Sequence, residues 1–597
     1  MEPTPLPPEL VRKIEHARCL ADRPPARRFM QPATVAETLA LRARTQPDAP
    51  FLTYLAEDGG VRAYTYAEFY RHARRIAALL HAFAGVQRGE RIATAMHNHD
   101  QAIFIYFAAW HLGASVVPLN MGEDDKRLAY VLEHSGAKVL FVLKDHAARM
   151  RPLTRAAPGI RFVINVDGEP SEGETSLQSV LPPVDVPQFD APENVRPDDE
   201  ALIVYTSGTT GVPKGVALSQ YNLLADACAI TQWHGFTPQT RMMCVLPVHH
   251  VNGLVVTHVT PLYFGGSVVL NRKFSAQNFF ATAAQHRVEV VSVVPTLLQF
   301  LLEATPPGFE SRASVPSLQY LICGAGPLTV DLAARFEDRF GIPICHGYGL
   351  SETTCYSCFV PVTRASEHAG TGGTGVLACQ NADDGRGRPS HPWSEHKRWM
   401  RDYGYPSIGV PVAANHMAIH DEHGTALPEG AKGEIVIRGH NVMLGYHDNL
   451  QANENAFTHA WFRSGDEGFF KLGSGGEMYF FISGRFKELI IRGGVKISPL
   501  EVDEALNRIP GVKAAMAVGF ENVTYGEEVG AYVVRAAGSS ISADEVLAAC
   551  RAALPFAMSP KAVVFGETFP VTSTGKYQRN QLKHLFAHCQ GIQFREK

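Results

Sequence analysis

One loop constrains this chain more than any other feature of its sequence. Residues 201–205 form an apolar run that predicts a strand, and the run leads into Thr206-Ser-Gly-Thr-Thr-Gly-Val-Pro-Lys214. Small residues let backbone N–H groups close around an oxyanion, the hydroxyl groups add donors, and Lys214 adds a positive charge. The spacing differs from that of a Walker A motif, which requires Gly, four residues, and then Gly-Lys followed by Ser or Thr. The segment therefore predicts either a phosphate loop of another kind or a plain glycine-rich turn.

The surrounding sequence alternates between helix-like and strand-like segments. Helical periodicity marks residues 66–83 and 101–112, and short apolar runs lie at residues 91–95, 115–119, 138–142, 242–246, 288–294 and 318–323. This alternation predicts parallel sheets covered by helices, so the expected fold class is α/β. Residues 406–482 show short strands and turns instead, which predicts a β subdomain. A small α+β unit begins at residue 484, with helices predicted at 499–508 and 543–554.

Composition excludes several classes of protein. The chain has 597 residues, of which 45% are hydrophobic and 19% charged, and its formal net charge is −4. These values are typical of a globular protein with a large core, and they give no electrostatic case for binding nucleic acid or an anionic membrane. The proline-rich start has no apolar core of a secretory signal, and no run reaches the ~18 apolar residues of a membrane span. We expect a cytoplasmic protein without an integral membrane segment, and the sequence does not indicate its oligomeric state.

Two short motifs are weak signals. Cys355 and Cys358 form a single C-x-x-C, but a zinc site would require a second well-spaced pair, so ordinary packing is favoured. Residues 370–375 match G-x-G-x-x-G, yet no convincing strand precedes them and no long helix follows. They belong to residues 364–404, a segment rich in Gly, Arg, His and Asp for which we expect a mobile loop.

Further motifs follow the first loop in order. They are Gly324-Ala-Gly-Pro-Leu328, Tyr348-Gly-Leu-Ser-Glu-Thr353, Phe462-Arg-Ser-Gly-Asp466, Gly484-Arg-Phe-Lys-Glu-Leu-Ile-Ile491 and Ser573-Thr-Gly-Lys576. Together with the loop at 206–214, this ordered set resembles the adenylate-forming (ANL) superfamily over roughly residues 35–585, and within it the acyl-CoA synthetases most closely. Each motif alone has an ordinary structural explanation, such as an aspartate in a turn or a lysine on the surface, but the ordered set favours membership of the family.

The resemblance implies an architecture. It consists of an N-terminal extension at 1–32, an AMP-binding domain at 33–483 and a small, mobile α+β C-terminal domain at 484–597. The AMP-binding domain would contain two parallel-sheet α/β subdomains, the insertion at 364–404 and a β-barrel-like subdomain at about 406–482. Lys487 holds the hinge position of the family. Rotation about it would let one cleft serve two half-reactions.

The resemblance also implies a first reaction, in which ATP and Mg²⁺ convert a carboxylate into an acyl-adenylate. The loop would bind the β- and γ-phosphates, Tyr348 would present an aromatic face to adenine, and Ser351 would contact the α-phosphate. Asp466 could accept hydrogen bonds from both ribose hydroxyls, and Arg485 should reach the ribose. The expected nucleotide-binding residues are Thr206, Ser207, Gly208, Thr209, Thr210, Gly211, Lys214, Gly324, Ala325, Gly326, Tyr348, Ser351, Asp466 and Arg485.

Four residues are expected to have catalytic roles by resemblance. Glu352 would hold Mg²⁺ through a hard oxygen ligand, and Lys576 would bridge the attacking carboxylate and the phosphate. Rotation about Lys487, the hinge, would remove Lys576 from the cleft and present Gly493-Gly-Val-Lys496 to the adenylate for the second half-reaction. Gly493 and Gly494 permit the close backbone approach that suits a narrow thiol tunnel, whereas Lys496 stands where many relatives have a polar amide. The fourth catalytic candidate lies beside the expected carboxylate.

That candidate is His250 in Pro247-Val-His-His-Val-Asn-Gly253, which resembles the synthetases' segment next to the carboxylate. It could gate the pocket or orient the acid, with a core histidine as the alternative. Peptide-synthetase domains place an aspartate in this segment to pair with an amino group, and none occurs here, so an α-amino acid is not expected. The apolar flanks at 254–256 and 322–326 predict a pocket for a fatty or aryl acid.

Three functions remain open at this point. The favoured one transfers the acyl group to coenzyme A, the commonest second step in the family and the one that Gly493 and Gly494 fit. The alternative is an acyl-AMP ligase that serves an acyl carrier protein or an amine, and basic residues in the insertion could contact such a carrier. A non-catalytic acyl-adenylate binding protein is the third, and the presence of Glu352, Asp466 and Lys576 argues against it.

Overall fold

The computed structural model describes residues 5–20, 30, 32–183, 195–206, 212–326, 328–361, 407–473, 475–571 and 577–595. Three predicted features lie outside these residues: Ser207 to Gly211 of the first loop, the insertion at 364–404 with its glycine run, and Lys576. Within the described part, no helix is both long enough and apolar enough to cross a bilayer.

Two large sheets dominate the first 450 residues. The first has nine strands among the described residues, of which six neighbouring strands are parallel and the edge strands antiparallel. Its spatial order is Val410–Pro411, Cys358–Phe359, Ile344–Tyr348, Tyr320–Cys323, Val290–Val293, Arg241–Cys244, Ser267–Asn271, Pro50–Leu55 and Val61–Thr65.

The second sheet has eight described strands, and six neighbours are again parallel. Its order is Gly445–Tyr446, Lys214–Ser219, Glu200–Thr206, Ser115–Pro118, Arg91–Ala95, Val139–Val142, Phe162–Asn165 and Glu174–Ser176. The predicted α/β class with parallel sheets is therefore confirmed. The short apolar runs were recognisable because parallel strands are covered on both faces, as in Val139–Val142, where all four residues are buried.

Helices cover both sheets and several have clear start signals. Thr65, Ser219 and Ser542 each form a capping box at a helix N-terminus. The α-helices of the described residues are Pro8–Ala17, Val35–Thr45, Tyr66–Ala78, Asp100–His111, Asp125–Ser135, Lys144–Arg155, Leu177–Val180, Gln220–His234, Thr260–Phe264, Phe279–Gln285, Pro295–Ala304, Ser311–Ser314, Val330–Phe340, Leu450–Ala456, Pro499–Asn507 and Ala543–Ala553. π-helical segments occupy Leu79–Phe83 and Asn252–Val259, and 3-10 segments occupy Ser351–Thr353 and Arg579–Cys589.

Two helices, Asp100–His111 and Gln220–His234, are buried along most of their length. The indole N–H of Trp110 donates to Ala201 O at 2.7 Å, and the Gln220 side chain donates to Trp110 O at 2.9 Å. These hydrogen bonds satisfy buried polar groups and fix the strand that leads into the glycine-rich loop. The hydrophobic core thus positions the loop's first residues.

The remaining sheets belong to the second half of the chain. The predicted β subdomain is a four-stranded antiparallel sheet in the order Asn415–His420, Gly433–Gly439, Phe462–Leu472 and Met478–Arg485. The predicted α+β unit contains a five-stranded sheet in the order Val495–Ile497, Ile490–Arg492, Gly526–Arg535 and Val512–Asn522, with Ala562–Gly566 paired to Gly526–Arg535.

The C-terminal unit contacts the rest of the chain through charged groups. Lys513 pairs with Glu303 at 2.9 Å and Lys432 with Glu501 at 3.3 Å. Glu504 is buried and accepts a hydrogen bond from the backbone N–H of Val330, the first residue of the helix Val330–Phe340. A carboxylate is favoured at a helix N-terminus, yet burial dominates here and raises the pKa of Glu504 to about 7.

This contact predicts a pH-dependent domain orientation. The pKa of Glu504 in the contact lies above its ordinary value of 4.5, so the contact is fully stabilised below that value and loses stability as the pH rises through about 7. Asp331 raises the pKa further and Arg508, whose Nη2 lies 3.3 Å from Glu504 Oε1, opposes it. We expect small-angle scattering to report a more compact particle at pH 6 than at pH 8.

Glu504→Gln should remove most of that pH dependence, because an amide does not titrate. Glu567→Gln, which changes an exposed carboxyl group of the same unit, serves as the control and should leave it intact. If small-angle scattering shows the same change in compactness with pH for Glu504→Gln as for the unmodified protein, the prediction is contradicted.

Candidate active site

Asp466 is the buried anchor of the site. It lies in the strand Phe462–Leu472, and its side chain is 2% exposed. The hydroxyl of Tyr348 donates to Asp466 Oδ2 at 2.7 Å, and Nε of Arg485 donates to Oδ1 at 2.7 Å. The charge of Asp466 raises the pKa of Arg485, and burial together with that charge raises the pKa of Tyr348. Because a carboxylate offers about four acceptor positions, two remain for hydroxyl groups of a ligand.

A second group forms where the glycine-rich loop ends. Thr206 and Lys214 are register partners in an antiparallel strand pair, so the loop closes a hairpin. The Lys214 ammonium lies 4.8 Å from the ring centroid of Tyr446, and the Tyr446 hydroxyl donates to Glu352 Oε1 at 2.8 Å. Tyr446 therefore brings together the lysine of one motif and the carboxylate of another.

Lys214 is electrostatically tuned. Burial lowers its pKa first, the positive charge of Lys487 lowers it further, and Glu352 opposes both. Lys487 of the predicted hinge is thus close enough to influence the phosphate loop. Two cations and one carboxylate suit a polyanionic ligand, which would neutralise the repulsion between the lysines.

Two turns beside these groups hold non-glycine residues in the left-handed region. Ala325, in the predicted nucleotide-contacting turn, has φ +62°, and Thr354, directly after the 3-10 turn Ser351–Thr353, has φ +65°. Such conformations cost on the order of 1–3 kcal/mol each and cluster at functional sites. The Thr354 hydroxyl donates to Asn441 O at 2.7 Å, which helps to hold that turn in place.

Three adjoining cavities lie at the site, and Tyr348, Asp466, Arg485 and Ala325 are among their lining residues. The domain cleft, about 280 Å³, is lined by Tyr348, Asp466 and Arg485 and, from the C-terminal unit, by Tyr577 and Arg579. The inner pocket, about 70 Å³, is lined among others by His250 and Ser351, and it shares Ala325 and Gly349 with the domain cleft.

The third, the side cavity, has about 430 Å³ and shares Leu246, Pro247 and Val294 with the inner pocket. Its other walls are mostly apolar, and Arg272 and Lys273 lie at one side. Burial and then Arg272 lower the pKa of His97, also in the wall, to about 3, so this imidazole is neutral near pH 7. Arg272 and Lys273 therefore supply the positive charge of the cavity.

The segment carrying His250 is tightly folded. A Cβ atom at Gly253 would lie 2.2 Å from Pro247 O, so only glycine fits where the π-helical segment Asn252–Val259 begins. π-helical turns are common at functional sites. His250, three positions before this glycine, lines the inner pocket, and its role beside a carboxylate stays a prediction.

Other predicted residues are not brought to the cavities. Gly493 and Gly494 form an exposed turn, and the exposed Lys496 lies in the strand that follows it, with Nζ 5.9 Å from the centroid of the Phe486 ring. The neighbouring side chains Ile491 and Val495 are 41% and 51% exposed. Lys576 lies outside the described residues, but Val571 and Tyr577, which pair across its loop, line the side cavity and the domain cleft respectively.

Sequence reasoning missed Tyr446, Tyr356 and Asn252. Tyr446 lies in a two-residue strand that pairs with Val216, far from Glu352 in sequence, and nothing in its neighbourhood signals that contact. Tyr356 and Asn252 line the inner pocket from two distant segments. Asn252 lies within the predicted histidine segment at 247–253, which was the one available signal.

Glu352 is the residue that would hold a metal ion. Among the described residues, no group of three or more His, Cys, Asp or Glu side chains could hold a metal ion. A magnesium ion bound through one carboxylate and substrate phosphates does not require such a group. Glu352 fits that mode, because Oε1 is held by Tyr446 and the carboxylate lies near Lys214.

Comparisons with known proteins agree with the geometry. The AMP-binding enzyme family matches residues 39–447, and the AMP-binding enzyme C-terminal domain matches residues 501–576. The chain belongs to this family of AMP-binding enzymes, and the predicted membership of the adenylate-forming superfamily is confirmed.

Individual relatives align over nearly the whole chain. It is 33% identical to the sulfoacetate–CoA ligase of Cupriavidus necator over 556 residues, which cover 92% of this chain and 97% of the relative. It is 32% identical to the feruloyl-CoA synthase of an Amycolatopsis species over 545 residues, covering 91% and 97%. ATP-bound MatB from Rhodopseudomonas palustris superposes with a TM-score of 0.76 at 25% identity, covering 93% of this chain and 99% of that one.

The lowered pKa of Lys214 predicts how ATP affinity depends on pH. A lysine with a lowered pKa loses its charge at a lower pH than an ordinary lysine, so ATP binding should weaken early in the alkaline range. Lys487→Met removes one cause of the shift, and the weakening should then begin at higher pH. Fluorescence titration of ATP between pH 7 and 10 measures this, with Lys583→Met, which changes an exposed lysine, as the control. An unchanged profile in Lys487→Met would refute the coupling.

Proposed function

We propose that the protein is an AMP-forming acid–thiol ligase, which activates a carboxylic acid with ATP and transfers the acyl group to coenzyme A. The observation that carries the proposal is the series of three adjoining cavities. The domain cleft suits a nucleotide, the inner pocket suits a carboxylic acid, and the side cavity suits a thiol arm. The names of the two relatives and the family match support the same reaction class.

In the first step the nucleotide lies in the domain cleft. Asp466 accepts from the ribose hydroxyls with its two remaining acceptor positions, and Tyr348 lies beside the base. The loop that Thr206 and Lys214 close holds the β- and γ-phosphates. A carboxylate oxygen of the acid, oriented beside His250 and Ser351, attacks the α-phosphorus and pyrophosphate leaves.

Positive charge is required because two anions meet in this step. Lys214 supplies part of it at the leaving phosphates, and Lys576 would supply the rest between the carboxylate and the α-phosphate. Glu352, held by Tyr446, would hold Mg²⁺. The bound ion would neutralise phosphate charge as pyrophosphate departs.

In the second step the thiolate of coenzyme A attacks the acyl carbonyl carbon and AMP leaves with the bonding electrons. The side cavity supports coenzyme A as the acceptor, because its apolar walls meet the inner pocket and Arg272 and Lys273 could bind phosphate groups. Both cations already have carboxylate neighbours, Asp145 at 3.7 Å from Arg272, and Glu57 beside Lys273.

The present orientation of the C-terminal unit supports a division between the two steps. Val571 and Tyr577, the described residues on either side of Lys576, line the cavities, whereas the exposed turn with Gly493 and Gly494 lines none of the three. We assign this orientation to adenylation. Rotation at Lys487 would then exchange the loop for the turn.

Lys576→Ala should lower the rate of acyl-adenylate formation at least about a hundredfold, because it removes charge stabilisation of the first transition state. Thioester formation from preformed acyl-adenylate should change little. Gly494→Leu should have the opposite pattern, since φ at Gly494 is +86° and a side chain would obstruct the turn. Pyrophosphate release and single-turnover thioester formation measure the two steps, and Lys583→Ala is the control.

Equal losses in both steps for either variant would contradict the division of labour. The acceptor is tested by the same assay with and without coenzyme A. If the matching acid promotes pyrophosphate–ATP exchange but coenzyme A does not accelerate turnover, the enzyme is an acyl-AMP ligase for a carrier protein or an amine.

A further inference from the structure

Asn252 and Tyr356, two polar residues in the wall of the inner pocket, are linked by hydrogen bonds. The Asn252 amide donates to the Tyr356 hydroxyl at 3.2 Å, and the Ser292 hydroxyl donates to Asn252 Oδ1 at 2.7 Å. All three residues are buried. The second N–H of the Asn252 amide has no acceptor among the residues that the structure describes. A buried amide N–H without an acceptor is unfavourable. We therefore expect the Asn252 amide to donate to a hydrogen-bonding group of a ligand in this pocket.

The pocket is small and its end wall is rigid. Its volume of about 70 Å³ admits on the order of five water-sized groups. The Tyr356 ring packs directly on two glycines, because a Cβ at Gly324 or at Gly347 would lie 2.7 or 2.8 Å from its Cε1 atom. Its centroid is 4.5 Å from that of Phe359. Close packing therefore holds the Tyr356 ring in the wall of the pocket.

The pocket also lacks a fixed cation. Neither Arg nor Lys is among its described lining residues, so a second anionic group on the acid would be buried without an opposite charge. A hydroxyl or carbonyl group, in contrast, can accept from the Asn252 amide at no such cost.

We infer that the acid is short, with about five or six non-hydrogen atoms, and carries an uncharged hydrogen-bonding group at the end opposite its carboxyl group. That group binds to Asn252 beside Tyr356. This inference rests on the proposed function, which places the thiol arm in the adjoining side cavity and so leaves the inner pocket for the acid. A short hydroxy acid fits this pocket, whereas the fatty or aryl acid expected from the apolar flanks exceeds its volume. The flanking residues 254–256 are buried, but they do not line the pocket.

Matched pairs of acids test the inference. 3-Hydroxypropanoate and butanoate have equal numbers of non-hydrogen atoms, as do glycolate and propanoate. With the full-length protein, ATP, Mg²⁺ and coenzyme A, kcat/KM for pyrophosphate release should be at least about tenfold higher for the hydroxy acid of each pair. Hexanoate, benzoate and the dianion malonate should be poorer still. Equal or better rates with butanoate, hexanoate, benzoate or malonate would overturn the inference and leave the proposed function standing.

If no acid among chains of two to twelve carbons and aryl acids releases pyrophosphate, the proposed function itself fails. In Asn252→Leu, kcat/KM for 3-hydroxypropanoate should become nearly equal to kcat/KM for butanoate, a ratio close to one, and KM for ATP should not change. Thr260→Val, which removes a buried hydroxyl of the neighbouring helix that bonds Val255 O, should keep the ratio. A ratio unchanged in Asn252→Leu would overturn the role of the amide, and the acid pairs on the unmodified protein decide the question even if that variant does not fold.

Discussion

The arrangement of the site depends on one buried carboxylate. Asp466 joins the last residue of a parallel strand, Tyr348, to the last residue of the β subdomain's final strand, Arg485. Arg485 compensates the charge of Asp466, and Tyr348 donates a hydrogen bond to it. Removing one of these partners would leave the buried carboxylate with a large desolvation penalty. The hinge segment begins directly after Arg485, so the residue that anchors the expected ribose site also fixes the point from which the C-terminal unit departs.

The fold was largely predictable because its strands are buried on both faces. Continuous apolar runs such as 91–95 and 139–142 stand out in the sequence, and the strands Arg91–Ala95 and Val139–Val142 follow them. Within the candidate site, Lys214, Glu352 and Asp466 were predicted from ordered motifs. Tyr446 and Tyr356 could not be predicted in this way. Tyr446 contacts Glu352, which is 94 positions away in the sequence, and Tyr356 contacts Asn252, which is 104 positions away. The size of the inner pocket was equally hidden, because it depends on a ring packing against two glycines.

Lys214 and Lys487 would link the glycine-rich loop to the proposed domain rotation. Lys487 at the hinge lowers the pKa of Lys214 in the present orientation, so a bound polyphosphate relieves a repulsion between the two units. In the proposed mechanism, departure of pyrophosphate would restore that repulsion and favour movement of Lys487 away from Lys214. The chemistry of the first step can in this way promote the rearrangement required for the second.

Exposed apolar side chains beside the Gly493–Gly494 turn give the two orientations different temperature responses. Ile491 and Val495 are in contact with water now, and an orientation that brings the turn into the cleft removes them from it. Burial of apolar surface is weaker in the cold. If the two orientations serve the two steps as proposed, warming would favour the one assigned to thiol transfer and cooling the one assigned to adenylation, which would give the catalytic cycle a thermal bias.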